Sequence, residues 1–170
     1  MDPLSRLMQM NLAYILVDAG DFDSGIELAR TTIERTPNFV SQLRNRTLHE
    51  LRAGDVKNGA MGLEAWASAE GKDVAAARAI GKLFVQYQRS GEPQEISDEL
   101  VTRLELGSED LAQVYAFVGE GESALKALEI AFEERSGSRS VLSMKINPGY
   151  DFIRDDPRFV ALLQRLGLSE

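Results

Sequence analysis

The sequence contains no cysteine, which removes disulfides, thiolate nucleophiles and every zinc site that depends on sulfur ligands. Histidine is almost absent. With His49 alone, a Ser-His-Asp triad has one conceivable centre, and a metal site would have to be built from carboxylates around that single imidazole. The simpler reading of His49 is a helical residue at the edge of a packed face. Long apolar runs are missing too: the longest, Leu12 to Val17, is far shorter than a bilayer-spanning helix. Met1 is followed by Asp2 and Pro3, without the basic start and apolar stretch of a secretion signal, so the cytosol is the expected compartment and no membrane partner is expected. Positive charge is in deficit, with 19 Lys and Arg against 27 Asp and Glu and a net charge of −8. A general nucleic-acid binder needs a cationic surface to meet phosphates, so nucleic acid is not an expected partner either.

The deficit is not uniform. Residues 38–91 carry 8 basic and 5 acidic side chains, whereas residues 92–170 carry 8 and 16. The middle of the chain alone is cationic. Its 170 residues suffice for one domain with a sizeable core, and an apolar content of 44% suggests neither disorder nor a membrane protein.

What organises the chain is a repeated turn. Ala19-Gly20-Asp21-Phe22 returns as Ala53-Gly54-Asp55-Val56, and Gly25 returns as Gly59, each 34 residues later. Around the first turn, Leu12, Ala13, Ile15 and Leu16 form the inner stripe of one helix; Ile26, Leu28, Ala29 and Ile33 pack the next, which Pro37 stops. Gly119 to Arg135, GEGESALKALEIAFEER, repeats the second half of such a hairpin, with Ala124 and Ala131 as small surfaces and Leu125, Leu128 and Phe132 as a stripe.

On these residues the chain resembles the tetratricopeptide family, whose repeat length is 34. The resemblance implies an all-α fold: a right-handed α-solenoid of stacked helix-turn-helix hairpins with a C-terminal capping helix. Read this way, residues 1–170 form a single domain with hairpins at about 4–37, 40–70, 74–106 and 108–135 and a cap at 140–168. Two departures stand out. Trp66 and Phe84 occupy positions where the family usually has small residues. The third hairpin is also irregular, because Gly91 follows Gly54 by 37 residues and precedes Gly119 by 28. Its second helix is expected from Gln94 to Leu106, and Ser108 is expected to cap the helix after it.

The end of the chain is not a further repeat. Val141, Leu142, Met144 and Ile146 suggest a short helix, Pro148-Gly149 a turn, and Asp156-Pro157 the start of a last helix whose Phe159, Leu162, Leu163 and Leu166 make one face. A stack of hairpins leaves its final apolar face bare, so an amphipathic lid is what the architecture requires. The phrase Arg154-Asp155-Asp156-Pro157-Arg158-Phe159 is similar to the ending of tetratricopeptide modules in bacterial winged-helix activators, class III adenylyl cyclases and some serine/threonine kinases. Asp2-Pro3-Leu4-Ser5 looks like a phrase from the interior of such modules.

In the resembled family the first helices line a concave groove. Assigning the inter-helix stripe and taking what remains, the groove here would display Met10, Tyr14 and Val17, then Arg44, Leu48 and Arg52, then Arg78, Val85 and Arg89, then Glu109 and Gln113. Four arginines on two adjacent helices suit carboxylates, whose two oxygens match the forked guanidinium donors. The expected partner is therefore a protein or peptide segment with acidic side chains or a free carboxylate; the alternative for these arginines is pairing with Glu50, Glu64 and the acidic last third. The clamp of heat-shock co-chaperones needs Lys and Asn at groove sites where this chain has Met10 and Tyr14, so that ligand is not implied. No cofactor, metal or catalytic residue is expected: carboxylates adjacent in sequence, such as Asp98-Glu99, diverge rather than flank a substrate. The resulting expectation is a non-catalytic protein-binding module, with an input or sensor domain of a larger bacterial regulator as the alternative.

Overall fold

The structure, a computed structural model, describes residues 3–35, 47–134 and 144–168, and among these every regular element is helical. Pro37, Arg44, the start of the second hairpin, the Ser136 to Arg139 loop, Val141 and Leu142 lie outside the described residues. The chain divides into two compact units, residues 1–85 and 86–170.

The first unit holds α1 (Pro3–Asp18), α2 (Phe22–Glu34), the helical residues 47–52 (α3), α4 (Val56–Ala69) and the greater part of α5 (Val74–Ser90). The 34-residue recurrence is visible atom by atom. Gly20 and Gly54 end their helices at φ +86° and +77°, a left-handed conformation that costs glycine least. The following amides reach back to close the turn, Asp21 N donating to Leu16 O at 2.9 Å and Asp55 N to Glu50 O at 2.8 Å. Each aspartate then caps the next helix, its Oδ1 accepting from Ser24 N and from Asn58 N, both at 3.3 Å. This capping is more than the turn-forming role expected of Asp21, and it satisfies a backbone donor that has no partner inside the helix.

Close packing explains the small residue five positions after each turn. A Cβ on Gly25 would lie 2.6 Å from Val17 Cγ2 and 2.9 Å from the Ala13 carbonyl oxygen; one on Gly59 would lie 2.5 Å from Leu51 Cδ2. Met10, Ala13 and Ala29 form the buried contact of α1 with α2, with Leu28 at its margin. α5 approaches α4 through small residues, a Cβ on Gly81 falling 3.0 Å from that of Ala60. Trp66 is buried rather than displayed, with the Lys72 ammonium 5.5 Å from its ring centroid.

The second unit contains α6 (Asp98–Leu104), α7 (Ser108–Ala116), α8 (Gly121–Glu133), a 3₁₀ turn (Pro148–Ile153) and α9 (Pro157–Arg165). α7 and α8 meet through Ala112, Ala116, Ala124 and Ala127, with Leu125 and Leu128 in the same core. Met144, Tyr150, Ile153, Phe159 and Leu162 complete that core, so the C-terminal segment packs as a lid on α7 and α8. Gly119 repeats the turn at φ +80°, and Glu120 N donates to Tyr115 O at 2.9 Å.

Four expectations are corrected here. The segment after Gly91 is not helical until Asp98, because Pro93 disfavours helical backbone at Glu92 and Ser97 supplies the cap, accepting from Leu100 N. In the gap, Gln94 N donates to Val118 O at 2.8 Å and Ile96 N to Glu120 Oε1 at 2.6 Å, so the stretch is held by the α7–α8 turn instead. Ser108 is the first residue of α7 and not its cap; its hydroxyl donates to Glu134 Oε2 at 2.5 Å, across to the end of α8. Met144 to Ile146 form a turn, not a helix, and Pro148-Gly149 opens a 3₁₀ turn under Asn147, whose Oδ1 accepts from Gly149 N at 3.0 Å.

Candidate functional site

Most of the residues assigned to the groove are interior. Met10 packs in the α1–α2 core and Val17 against Gly25. Tyr14 is buried with its ring edge-on to His49, centroids 4.2 Å apart, and the Arg52 guanidinium lies 5.8 Å from the Tyr14 centroid. Every side chain from Thr47 to Arg52 is buried, Leu48, His49 and Arg52 among them. Subtraction fails for a helix covered on all sides, because no face is left over once the inter-helix stripe is removed. His49 is thus deeper than the packed edge expected of it. In the second unit Gln113 is buried on α7, and Glu109 is half-buried.

What remains at the surface comes from α5. Arg78 and Arg89 are exposed and Val85 is half-buried. Within the first unit, sequence reasoning passed over Lys82, also exposed, one turn beyond Arg78. Positions 78, 82 and 85 share one helical face, since residues three and four apart lie above one another. The i, i+4 spacing of Arg78 and Lys82 carries this signal in the sequence. Arg89 lies in the last turn of α5, in the part belonging to the second unit.

Arg78 is engaged. Its Nε donates to Glu64 Oε2 at 2.8 Å, from α5 to α4, and this hydrogen bond followed by the charge of Glu64 raises the already high pKa of the guanidinium. Pairing with Glu64 is the alternative the sequence left open for these arginines. An exposed ion pair of this kind is weak and exchangeable, which leaves Arg78 and Lys82 able to trade a carboxylate of the protein for one from outside.

In the Arg154 to Phe159 phrase every residue but the exposed Asp155 has a structural role. Arg154 donates to the Lys145 carbonyl, to Asn147 O at 3.3 Å and to Asp151, tying the turn together. Asp156 caps α9, accepting from Arg158 N at 2.8 Å; Pro157 is the first helical residue, where its missing N–H costs nothing; Phe159 is buried. Arg158 reaches α8, holding Glu122. The residues that resemble a family ending therefore build the lid.

Glu120 was also missed. One of its oxygens accepts from Ile96 N and the other from Ser123 Oγ at 2.6 Å. Partial burial, and after it the charges of Glu120 and Asp98, push the Tyr115 phenol above its ordinary range. Among the described residues no group of three or more His, Cys, Asp or Glu is placed to hold a metal ion, and no helix is long and apolar enough to cross a membrane.

No protein-family model matches the chain, and neither a curated protein nor a solved structure matches it.

Proposed function

We propose that this chain is a non-catalytic interaction module built of tetratricopeptide-like hairpins, stacked as the α-solenoid its 34-residue period implies, and that it binds an acidic segment of a partner protein. The contact surface is the exposed face of α5 in the first unit, where Arg78 and Lys82 present cations one turn apart and Val85 offers a half-buried apolar foothold. The observation that carries the reading is this pair of cations at the surface of a chain whose net charge is −8. Support for the hairpin type comes from the matching turns at Gly20 and Gly54, which agree in φ, in the bond that closes them and in the aspartate cap.

The recognition chemistry is charge-assisted hydrogen bonding to carboxylates, with the partner exchanging for Glu64 at Arg78. Titration of a short Glu-rich peptide against a neutral peptide of equal length, at low and high salt, tests it. The acidic peptide should bind more tightly, and its advantage should shrink as salt rises. Equal and salt-independent affinities would remove α5 from the binding surface.

A further inference from the structure

Of the five asparagines in the chain only Asn58 is followed by glycine. The pair is a product of the fold. Gly59 fills the small-residue slot five places after the turn, where a Cβ would lie 2.5 Å from Leu51 Cδ2, and residue 58 is the position whose backbone N–H the aspartate cap takes up. In the first hairpin the same two slots hold Ser24 and Gly25, 34 residues earlier, and serine has no side-chain amide to lose. Asn58 is exposed on the first turn of α4, and Asp55 holds it twice: Oδ1 accepts from Asn58 N at 3.3 Å and Oδ2 from Asn58 Nδ2 at 2.7 Å. Gly59 N donates to Asp55 O at 2.9 Å. One residue thus engages both reacting groups of the Asn-Gly pair.

We propose that Asn58 is a deamidation site which the Asp55 cap keeps closed and which reacts when the first turn of α4 frays. The reaction needs only water. The Gly59 nitrogen bonds to Asn58 Cγ and gives its proton to solvent; the Cγ–Nδ2 bond breaks and ammonia leaves, closing a five-membered succinimide. Water then opens the ring. Addition at Cγ breaks the new bond and leaves aspartate, whereas addition at the Asn58 carbonyl carbon breaks the original peptide bond and leaves isoaspartate, in which the chain runs through the side chain. Glycine has no side chain to hinder the attack. Helical backbone at Asn58, however, holds the Gly59 nitrogen away from Cγ, and its N–H is already engaged by Asp55 O. Helix ends open locally well before a domain unfolds, so the cap sets the rate. Isoaspartate then adds one carbon to the backbone just where Gly59 seats against Leu51 and Ala60 meets Gly81 of α5, and the turn cannot close again in its old register.

Peptide mapping by mass spectrometry, on protein held at mildly alkaline pH and physiological temperature, measures conversion at residue 58. The wild type should convert slowly when folded and much faster in urea. Asp55→Ala should convert about fivefold faster than the folded wild type, the fold-change equivalent to about 1 kcal/mol for a lost cap, because reaction through a fast opening tracks the open population. Asp21→Ala removes the equivalent cap from α2 and should leave the rate at residue 58 unchanged, which separates fraying of α4 from unfolding of the whole unit. The isoaspartyl product, separated from the aspartyl one by chromatography, should have the lower melting temperature of the two. A folded wild type that converts as fast as in urea, an Asp55→Ala rate equal to that of the wild type or matched by Asp21→Ala, or equal melting temperatures of the two products would each overturn the proposal.

Discussion

Arg158 holds Glu122 through two parallel bonds, Nη1 to Oε1 at 2.8 Å and Nη2 to Oε2 at 2.7 Å, joining α9 to the first turn of α8. The hydrogen bonds to Arg158, then its charge, lower the Glu122 pKa, and hydrogen bonds with the Arg158 backbone and side chain lower that of Asp156. A carboxylate whose pKa is depressed by folding stabilises the folded state above its unfolded value, and that contribution disappears as pH falls through the folded value. Acid should therefore loosen the lid. Urea midpoints measured from pH 7 downward should fall faster below the ordinary carboxylate range for the wild type than for Arg158→Gln; parallel curves would refute the coupling.

Phe159 is fully buried, its ring centroid 5.9 Å from that of Tyr150. Replacing it by alanine removes a large apolar side chain from a core that relaxes only in part, at a cost of about 3–5 kcal/mol. Phe152 lies close by in sequence but is exposed, so Phe152→Ala should cost less than about 1 kcal/mol. Chemical denaturation of the two variants checks the difference. Equal losses would mean that the last helix does not close the core.

Gly119 and Gly54 share the left-handed turn, but only Gly119 is roofed: a Cβ there would lie 2.5 Å from Tyr87 Cε2, whereas one at Gly54 meets nothing within 4 Å. Gly54→Ala should cost about 1–2 kcal/mol, the strain of a side chain in that conformation. Gly119→Ala adds an overpacking cost of roughly 1–3 kcal/mol. In a Tyr87→Ala background the extra cost should vanish, and a double-mutant cycle in thermal denaturation measures it. An unchanged penalty would place the strain in the backbone alone.

Glu64 competes with an outside carboxylate for Arg78, so its removal should help binding. Glu64→Gln is expected to tighten an acidic peptide about two- to fivefold, the scale of one exposed ion pair, and Lys82→Gln to weaken it by a similar factor. Calorimetric titration reads both. Weaker binding by Glu64→Gln would show that Glu64 orients Arg78 rather than masks it.

The turns were legible because their determinants are local. A glycine for the left-handed position, an aspartate for the cap and a small residue five places on can be read from a window of a few residues; Gly20 and Gly54 show all three, and Gly119 shows the glycine and the small residue, Ala124, with Glu120 in place of the aspartate. The last helix was legible for the same reason, through Asp156, Pro157 and the face led by Phe159 and Leu162. Contacts with distant partners were not. Pro93 and the Ser97 cap set the start of α6 locally, but the anchoring of the stretch before it depends on Glu120, 24 residues from the Ile96 amide it accepts from, and the role of Ser108 depends on Glu134.

Taken alone, the sequence determined an all-helical chain, its 34-residue recurrence and the places where helices end, since each follows from backbone preference and periodicity within a turn or two. Only the tertiary structure decided which faces stay in water. Tyr14, Leu48 and Arg52 went inside, Arg78 and Lys82 remained outside, and Met8, Leu12 and Ile15 were left uncovered. Exposure depends on what packs against a helix from elsewhere in the chain, and no local spacing carries that information.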